Sequence, residues 1–261
     1  MDFIAQLDWL YTLAGFAVGV MVGFTGVGGG ALMTPLLVLV FGVAPQTAVG
    51  TDLIYAATTK TAGSAVHGWR ETVDWKIVRR LASGSLPAAF VTLLALHLFG
   101  EAASVVQTVI VYLLGVMLLI TAVAVAFQTS LIRWAANRHP VREGRELLPT
   151  VVLGAIIGTA VSLSSVGAGA IGVTALLMLY PSLPMARIVG TDIAHAVPLA
   201  FVSGLGHWAV GGVDTGLLMN LLVGSIPGVI LGSLLATHMP DRLLRPALAL
   251  VLLVSGFKLL S

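Results

Sequence analysis

The chain has no cysteine and very few charges. Without a single Cys in 261 residues it cannot form disulfides, thiolate metal sites or a cysteine nucleophile. Only 9% of its residues are Asp, Glu, Lys or Arg, against roughly a quarter in soluble domains, so it cannot clothe its own surface for water. Also missing is the alternation of apolar and polar residues over about 10 positions that marks barrel strands. The first apolar segment starts at Trp9 with almost nothing basic ahead of it. No A-x-A-like site follows, so no cleaved signal peptide is expected. What is present is apolar sequence: 58% hydrophobic residues and a mean hydropathy of +1.04. Several stretches approach or exceed the ~20 residues of a spanning helix. The expected fold is an all-α polytopic membrane protein.

Breaks at Gly, Pro and charged clusters divide the chain into ten segments. The first five run over about 9–25, 30–42, 46–66, 77–98 and 104–127. The polar stretch "NRHPVREGRELLP" (137–149) separates them from five more, at about 148–164, 170–180, 185–206, 214–237 and 242–260. Segments 30–42 and 170–180 are short for a full crossing. Each follows a glycine-rich break and reads as half of a re-entrant hairpin.

The two sets of five are copies of one unit. "VGGGA" at 27–31 returns as "VGAGA" at 166–170, and "VGTD" at 49–52 returns at 189–192. His67 answers to His207, Val73-Asp74 to Val213-Asp214, and "GSLP" at 84–87 to "GSIP" at 224–227. The organisation is therefore a first transmembrane repeat over 1–128, a cytoplasmic linker over 129–147 and a second repeat over 148–261.

Basic residues orient the copies. Arg70, Lys76, Arg79 and Arg80 lie between the third and fourth segments, whereas the matching loop from His207 has no Lys or Arg. The central loop carries Arg133, Arg138, Arg142 and Arg145. With an odd number of crossings per copy, Arg187, Arg242 and Arg245 fall on that same side, and eleven of the thirteen Lys and Arg residues become cytoplasmic. The copies should be inverted, with both termini periplasmic in a bacterial inner membrane. Inverted repeats point to secondary transporters, whose sites lie near the midplane on interrupted helices. On that reading Gly28, Gly29 and Gly30 break a helix so that main-chain N–H groups at the next helix start can face an anion. The plainer alternative is that glycines allow close helix packing; for Gly15, Gly19 and Gly23, spaced four apart, packing is the expected role.

The segments "GFTGVGGGALMTPLLVLVFGVAPQTAVGTDL" and "SSVGAGAIGVTALLMLYPSLPMARIVGTDIAHAVP" resemble the two repeats of the TauE/SafE family of sulfite and organosulfonate exporters. The resemblance covers nearly the whole chain. It implies an inner-membrane carrier exporting small sulfur-containing or carboxylate anions, coupled to the proton gradient, with no particular substrate specified. Two departures argue against a strictly symmetric site: Ala168 interrupts the second glycine run, and Thr174 stands where the first copy has Pro35. A separate thiosulfate-uptake family uses cysteines, which this chain lacks.

Of 24 charged residues only Asp52, Lys60 and Asp192 lie well inside apolar segments. A charge near the bilayer centre costs at least ~2.5 kcal/mol on insertion scales, so each is a functional candidate. Asp52 and Asp192 occupy equivalent positions and could handle protons or substrate, or tie the backbone beside each break. His195, one turn from Asp192, joins them as a proton-coupling candidate because imidazole as a group changes charge near neutral pH, although a hydrogen-bonded core histidine would look the same. Lys60 could bind the anion or snorkel to the boundary. Candidate substrate-binding residues are Gly28, Gly29, Gly30, Thr51, Lys60, Ser164, Ser165, Gly167, Gly169 and Thr191. His67 and His207, at segment ends beside Trp69, Trp75 and Trp208, are expected at the membrane interface. No metal, cofactor or nucleic acid is expected; the partners are a small anion, protons and the bilayer, and the sequence permits a homodimer.

Two rival functions differ in kind. A passive anion channel could hold the same buried charges, but only a carrier drives substrate uphill. An intramembrane serine hydrolase would pair Ser164 or Ser165 with His195 or His207, yet the chain lacks a G-x-S-x-G elbow. A nucleotide loop is excluded because no strand precedes the glycine run and no Lys-Ser/Thr ends it.

Overall fold

The computed structural model describes residues 8–25, 30–69, 73–98, 103–128, 130–131, 146–235 and 241–261. These residues form ten α-helices and no strands. The first copy contributes α1 (Trp9–Thr25), α2 (Gly30–Leu39), α3 (Pro45–Trp69), α4 (Trp75–Leu98) and α5 (Ala103–Ala126). The second contributes α6 (Leu147–Ser164), α7 (Ala170–Leu179), α8 (Met185–Ala209), α9 (Thr215–Leu235) and α10 (Asp241–Leu260). Helices are the expected outcome, because a backbone in lipid must satisfy its hydrogen bonds within its own segment. Five of them are long and apolar enough to cross a membrane by length and composition. At 10 residues each, α2 and α7 rise only about 15 Å, half the ~30 Å hydrocarbon layer.

Elements start where local chemistry says they should. Asp74 caps α4 through Oδ1, which accepts the N–H groups of Lys76 and Ile77 at 3.1 and 3.2 Å. Asp214 does the same for α9, accepting from Leu217 at 2.9 Å. The repeated Val-Asp pairs are thus helix starts. Pro45 opens α3 as its first residue, where a missing N–H costs nothing.

Four helix pairs organise the molecule: α1 with α9, α4 with α6, α3 with α8, and α5 with α10. Exchanging the copies maps the first pair onto the second and each of the others onto itself. The first two pairs run parallel and are locked by glycines. A Cβ on Gly15 would stand 2.3 Å from the Leu221 carbonyl oxygen, and one on Gly19 2.6 Å from that of Ser225. In α4 and α6, Gly84 meets Val151 O at 2.0 Å and Gly158 meets Ser85 O at 2.3 Å. Packing is the role of Gly15 and Gly19. The other two pairs run antiparallel: Gly50 meets His207 while Gly204 meets Ile54, and Gly115 meets Leu260 while Gly256 meets Leu119.

The polarity of the structure is that of a protein in lipid. Phe90, Tyr112, Ile156, Phe201, Ile230 and Phe257 face outward, while Asp52, Asp192, His195 and His207 are buried.

Candidate functional site

The site begins where helices stop. At the end of α6, Ser165 adopts a left-handed conformation (φ 58°), and its N–H returns to Val161 O at 2.7 Å. Gly167 and Gly169 follow with φ of 129° and 126°, a region closed to side chains, and α7 starts at Ala170. Ala168 between them has no such φ, which is why alanine can interrupt the run. Gly28 and Gly29, in the first break, lie outside the described residues. Gly30 begins α2, and a Cβ there would stand 2.1 Å from Ser165 O. The two breaks therefore abut.

Each aspartate stands beside this junction, seven residues into its helix. Asp52 is fully buried, and its Oδ2 accepts a hydrogen bond from the Thr34 hydroxyl on α2. Ser165 of the opposite break lies next to the same carboxylate. Asp192 is also buried and packs directly on α7, with Oδ1 2.0 Å from where a Cβ on Gly172 would be; the N–H of Gly169 faces it. Lys60, a half-buried residue, turns inward rather than snorkelling: its Nζ donates to Ala168 O at 3.3 Å. There its charge acts on Asp52 and Asp192 alike. One cation, held at Ala168 O, thus stands within electrostatic reach of both carboxylates where the breaks meet.

Around this centre the copies differ. His195 Nε2 shares a 2.8 Å hydrogen bond with Ser85 Oγ on α4. The equivalent positions in the other half are Tyr55 and Ser225, whose hydroxyls lie near each other without closing a hydrogen bond of full geometry. Asp52 Oδ1, Asp192 Oδ1, Ser165 Oγ and His195 Nδ1 are likewise buried without partners. An unsatisfied buried polar atom costs about 1–3 kcal/mol, so such a concentration is not a product of folding alone.

Other candidates are tied into the scaffold. Thr51 Oγ1 accepts the Asp214 N–H at 3.1 Å, and Thr191 Oγ1 accepts that of Asp74 at 2.9 Å while donating to Arg187 O. Each VGTD threonine therefore holds the start of a helix from the other copy. Ser164 closes on its own backbone, donating to Ala160 O at 2.7 Å. His207, in the last turn of α8, is fully buried inside the protein, with Nε2 2.8 Å from Ser162 O. Small neighbours at Gly204 and Gly50 bring α3 and α8 close enough to enclose it. The His67 and Trp69 side chains lie outside the described residues; Trp75 and Trp208 are exposed. Neither Ser164 nor Ser165 shares a hydrogen bond with His195 or His207. Thr34, Tyr55, Ser85, Gly172 and Ser225 were not among the site candidates, although helical spacing puts Tyr55 on one stripe with Asp52. Two others had a signal in the sequence: Ser85 and Ser225 lie inside the repeated GSLP and GSIP.

Apolar helices around buried, charged helix breaks are the build of a polytopic membrane transporter. The profile of the family described as "Sulfite exporter TauE/SafE" matches residues 11–259, and the chain belongs to that family. It is 41% identical to "Probable membrane transporter protein YjnA" of Bacillus subtilis, over 95% of this chain and 98% of the relative. A second B. subtilis relative, "Probable membrane transporter protein YdhB", is 28% identical over 96% of this chain and 99% of its own length. A "Probable membrane transporter protein" of Xylella fastidiosa is 25% identical over 86% and 83%. No solved structure matches the chain.

Proposed function

We propose that this transporter is a proton-coupled carrier that exports small anions (sulfite, an organosulfonate or a related carboxylate) across the bacterial inner membrane. The observation that carries the reading is Lys60, held at Ala168 O of the second break, within electrostatic reach of both Asp52 and Asp192. With both carboxylates ionised this group has a net charge of −1 and repels an anion. One proton brings it to zero and a second to +1. Unit charges ~6 Å apart at an effective dielectric of ~20 interact by on the order of 3 kcal/mol, about 100-fold in affinity. Proton and anion binding therefore promote each other, and the coupling is reciprocal.

For a dianion such as sulfite, export follows from the balance of forces. A dianion moving with one proton keeps one negative charge, and an inside-negative potential drives it outward by about 2.3 kcal/mol per 100 mV. An opposing pH gradient contributes only about 1.36 kcal/mol per unit. A monoanion leaving with one proton would be electroneutral and opposed by the pH gradient, so export of a sulfonate or carboxylate on this scheme is driven by its own concentration gradient. The two copies act as inverted halves with both termini periplasmic and the 133–145 loop cytoplasmic. The antiparallel packing of α3 on α8 and of α5 on α10 supports the inversion.

Counterflow tests the reading against a passive channel. Proteoliposomes loaded with excess unlabelled sulfite, methanesulfonate or acetate should transiently concentrate the same anion in labelled form. A carrier does this because one site serves both directions. Simple equilibration of every anion would favour the channel.

A further inference from the structure

We infer that the two halves of the site divide the work, and that the half gathered around the first copy's Asp52, made of Tyr55 together with Ser165 and Ser225 from the second copy, is the seat for the oxygens of the transported oxyanion. This rests on the carrier reading above and deepens it. Of the seven buried polar side-chain atoms without partners among the described residues, four form one run: Ser165 Oγ, Asp52 Oδ1, Tyr55 Oη and Ser225 Oγ. They come from three elements, the second break, α3 and α9, so no local turn brings them together. Ser165 lies next to the Asp52 carboxylate, Asp52 next to Tyr55, and Tyr55 next to Ser225. Tyr55, Asp52 and Ser225 are fully buried, and Ser165 is 7% exposed.

Three hydroxyls can donate together to a compact ligand that has at least two acceptor oxygens. The Lys60 ammonium, held at Ala168 three residues beyond Ser165, supplies the opposite charge. Asp52 Oδ1, once protonated, donates to a ligand oxygen while Oδ2 keeps the Thr34 hydroxyl, so this carboxyl belongs to the bound state. In the other half the chemistry is already used. Ser85, the counterpart of Ser225, is bonded to His195, and Asp192 Oδ1 is pressed on the α7 backbone at Gly172. That half has no free hydroxyl pair to offer and is left with titrating groups.

The test is sulfite counterflow in proteoliposomes holding Tyr55→Phe, Ser225→Ala, Ser165→Ala or Ser85→Ala. Each of the first three should raise the KM for sulfite at least tenfold while maximal flux stays within about twofold. Ser85→Ala should instead lower maximal flux without raising KM. Should Tyr55→Phe insert poorly, Ser225→Ala, which removes one oxygen, still decides. Unchanged KM in Ser225→Ala and Ser165→Ala, or an equal rise in Ser85→Ala, would overturn the division of labour. If the wild type shows no sulfite counterflow, the carrier reading fails instead, and the two failures are told apart.

Discussion

Gly172 and Asp192 are in direct contact: a Cβ on the glycine would lie 2.0 Å from the carboxylate Oδ1. The α7 backbone is therefore the wall against which this aspartate rests, and only hydrogen fits between them. Gly172→Ala should displace the carboxylate, leaving insertion intact while cutting proton-driven anion accumulation at least tenfold. Matched measurements of protein level and uphill flux check this; unchanged coupling would mean that Asp192 works from another position.

Lys60 gives a second prediction. Lys60→Gln removes the one cation shared by the two aspartates and should weaken anion affinity about 100-fold, the size of the Coulomb interaction above. Lys60→Arg keeps the charge but not the compact ammonium and should be intermediate. Dose–response curves of counterflow read the effect. A snorkelling lysine would leave the midpoint unmoved in both variants.

The glycine locks are structural. On α9, a Cβ at Gly224 would stand 1.8 Å from Thr12 O of α1. Gly224→Leu must push the two helices apart, and the loss should appear as lower yield of folded protein and a lower unfolding temperature in detergent. Phe90→Leu, a lipid-facing change on α4, should alter neither.

How much of this was legible in the sequence differs between fold and site. Ten apolar segments became ten helices with boundaries within a few residues, because lipid leaves a long apolar stretch no other way to satisfy its backbone. The short second segment of each copy was legible from length alone, and α2 and α7 are 10 residues each. The site was legible where a charge interrupted apolar sequence, at Asp52, Lys60 and Asp192. Direction was not: nothing in the sequence separated an inward Lys60 from a snorkelling one, and only Ala168 O as its partner decides that. Nor could it tell that Thr51 and Thr191 face the opposite copy's helix starts, since those contacts span 163 and 117 residues. Tyr55 was legible as sharing a stripe with Asp52, but its neighbour Ser225, 170 residues away in the chain, was not.

Topology offers a fourth prediction. Reporter fusions at either terminus should register outside the cytoplasm, and a reporter in the 133–145 loop inside it. A cytoplasmic terminus would break the odd number of crossings in each copy and, with it, the inversion.

The central claim is that anion movement is tied to protons through the aspartates. Its most direct measurement is sulfite accumulation in proteoliposomes with an imposed pH gradient, the membrane potential clamped at zero, scored against protein-free vesicles. Because protons and anion promote each other's binding, sulfite should concentrate on the alkaline side beyond the protein-free level. A protonophore should abolish the excess, and Asp192→Asn should lose it while still catalysing anion-for-anion exchange. Accumulation no greater than in protein-free vesicles, or an equally steep gradient in Asp192→Asn, would contradict the account.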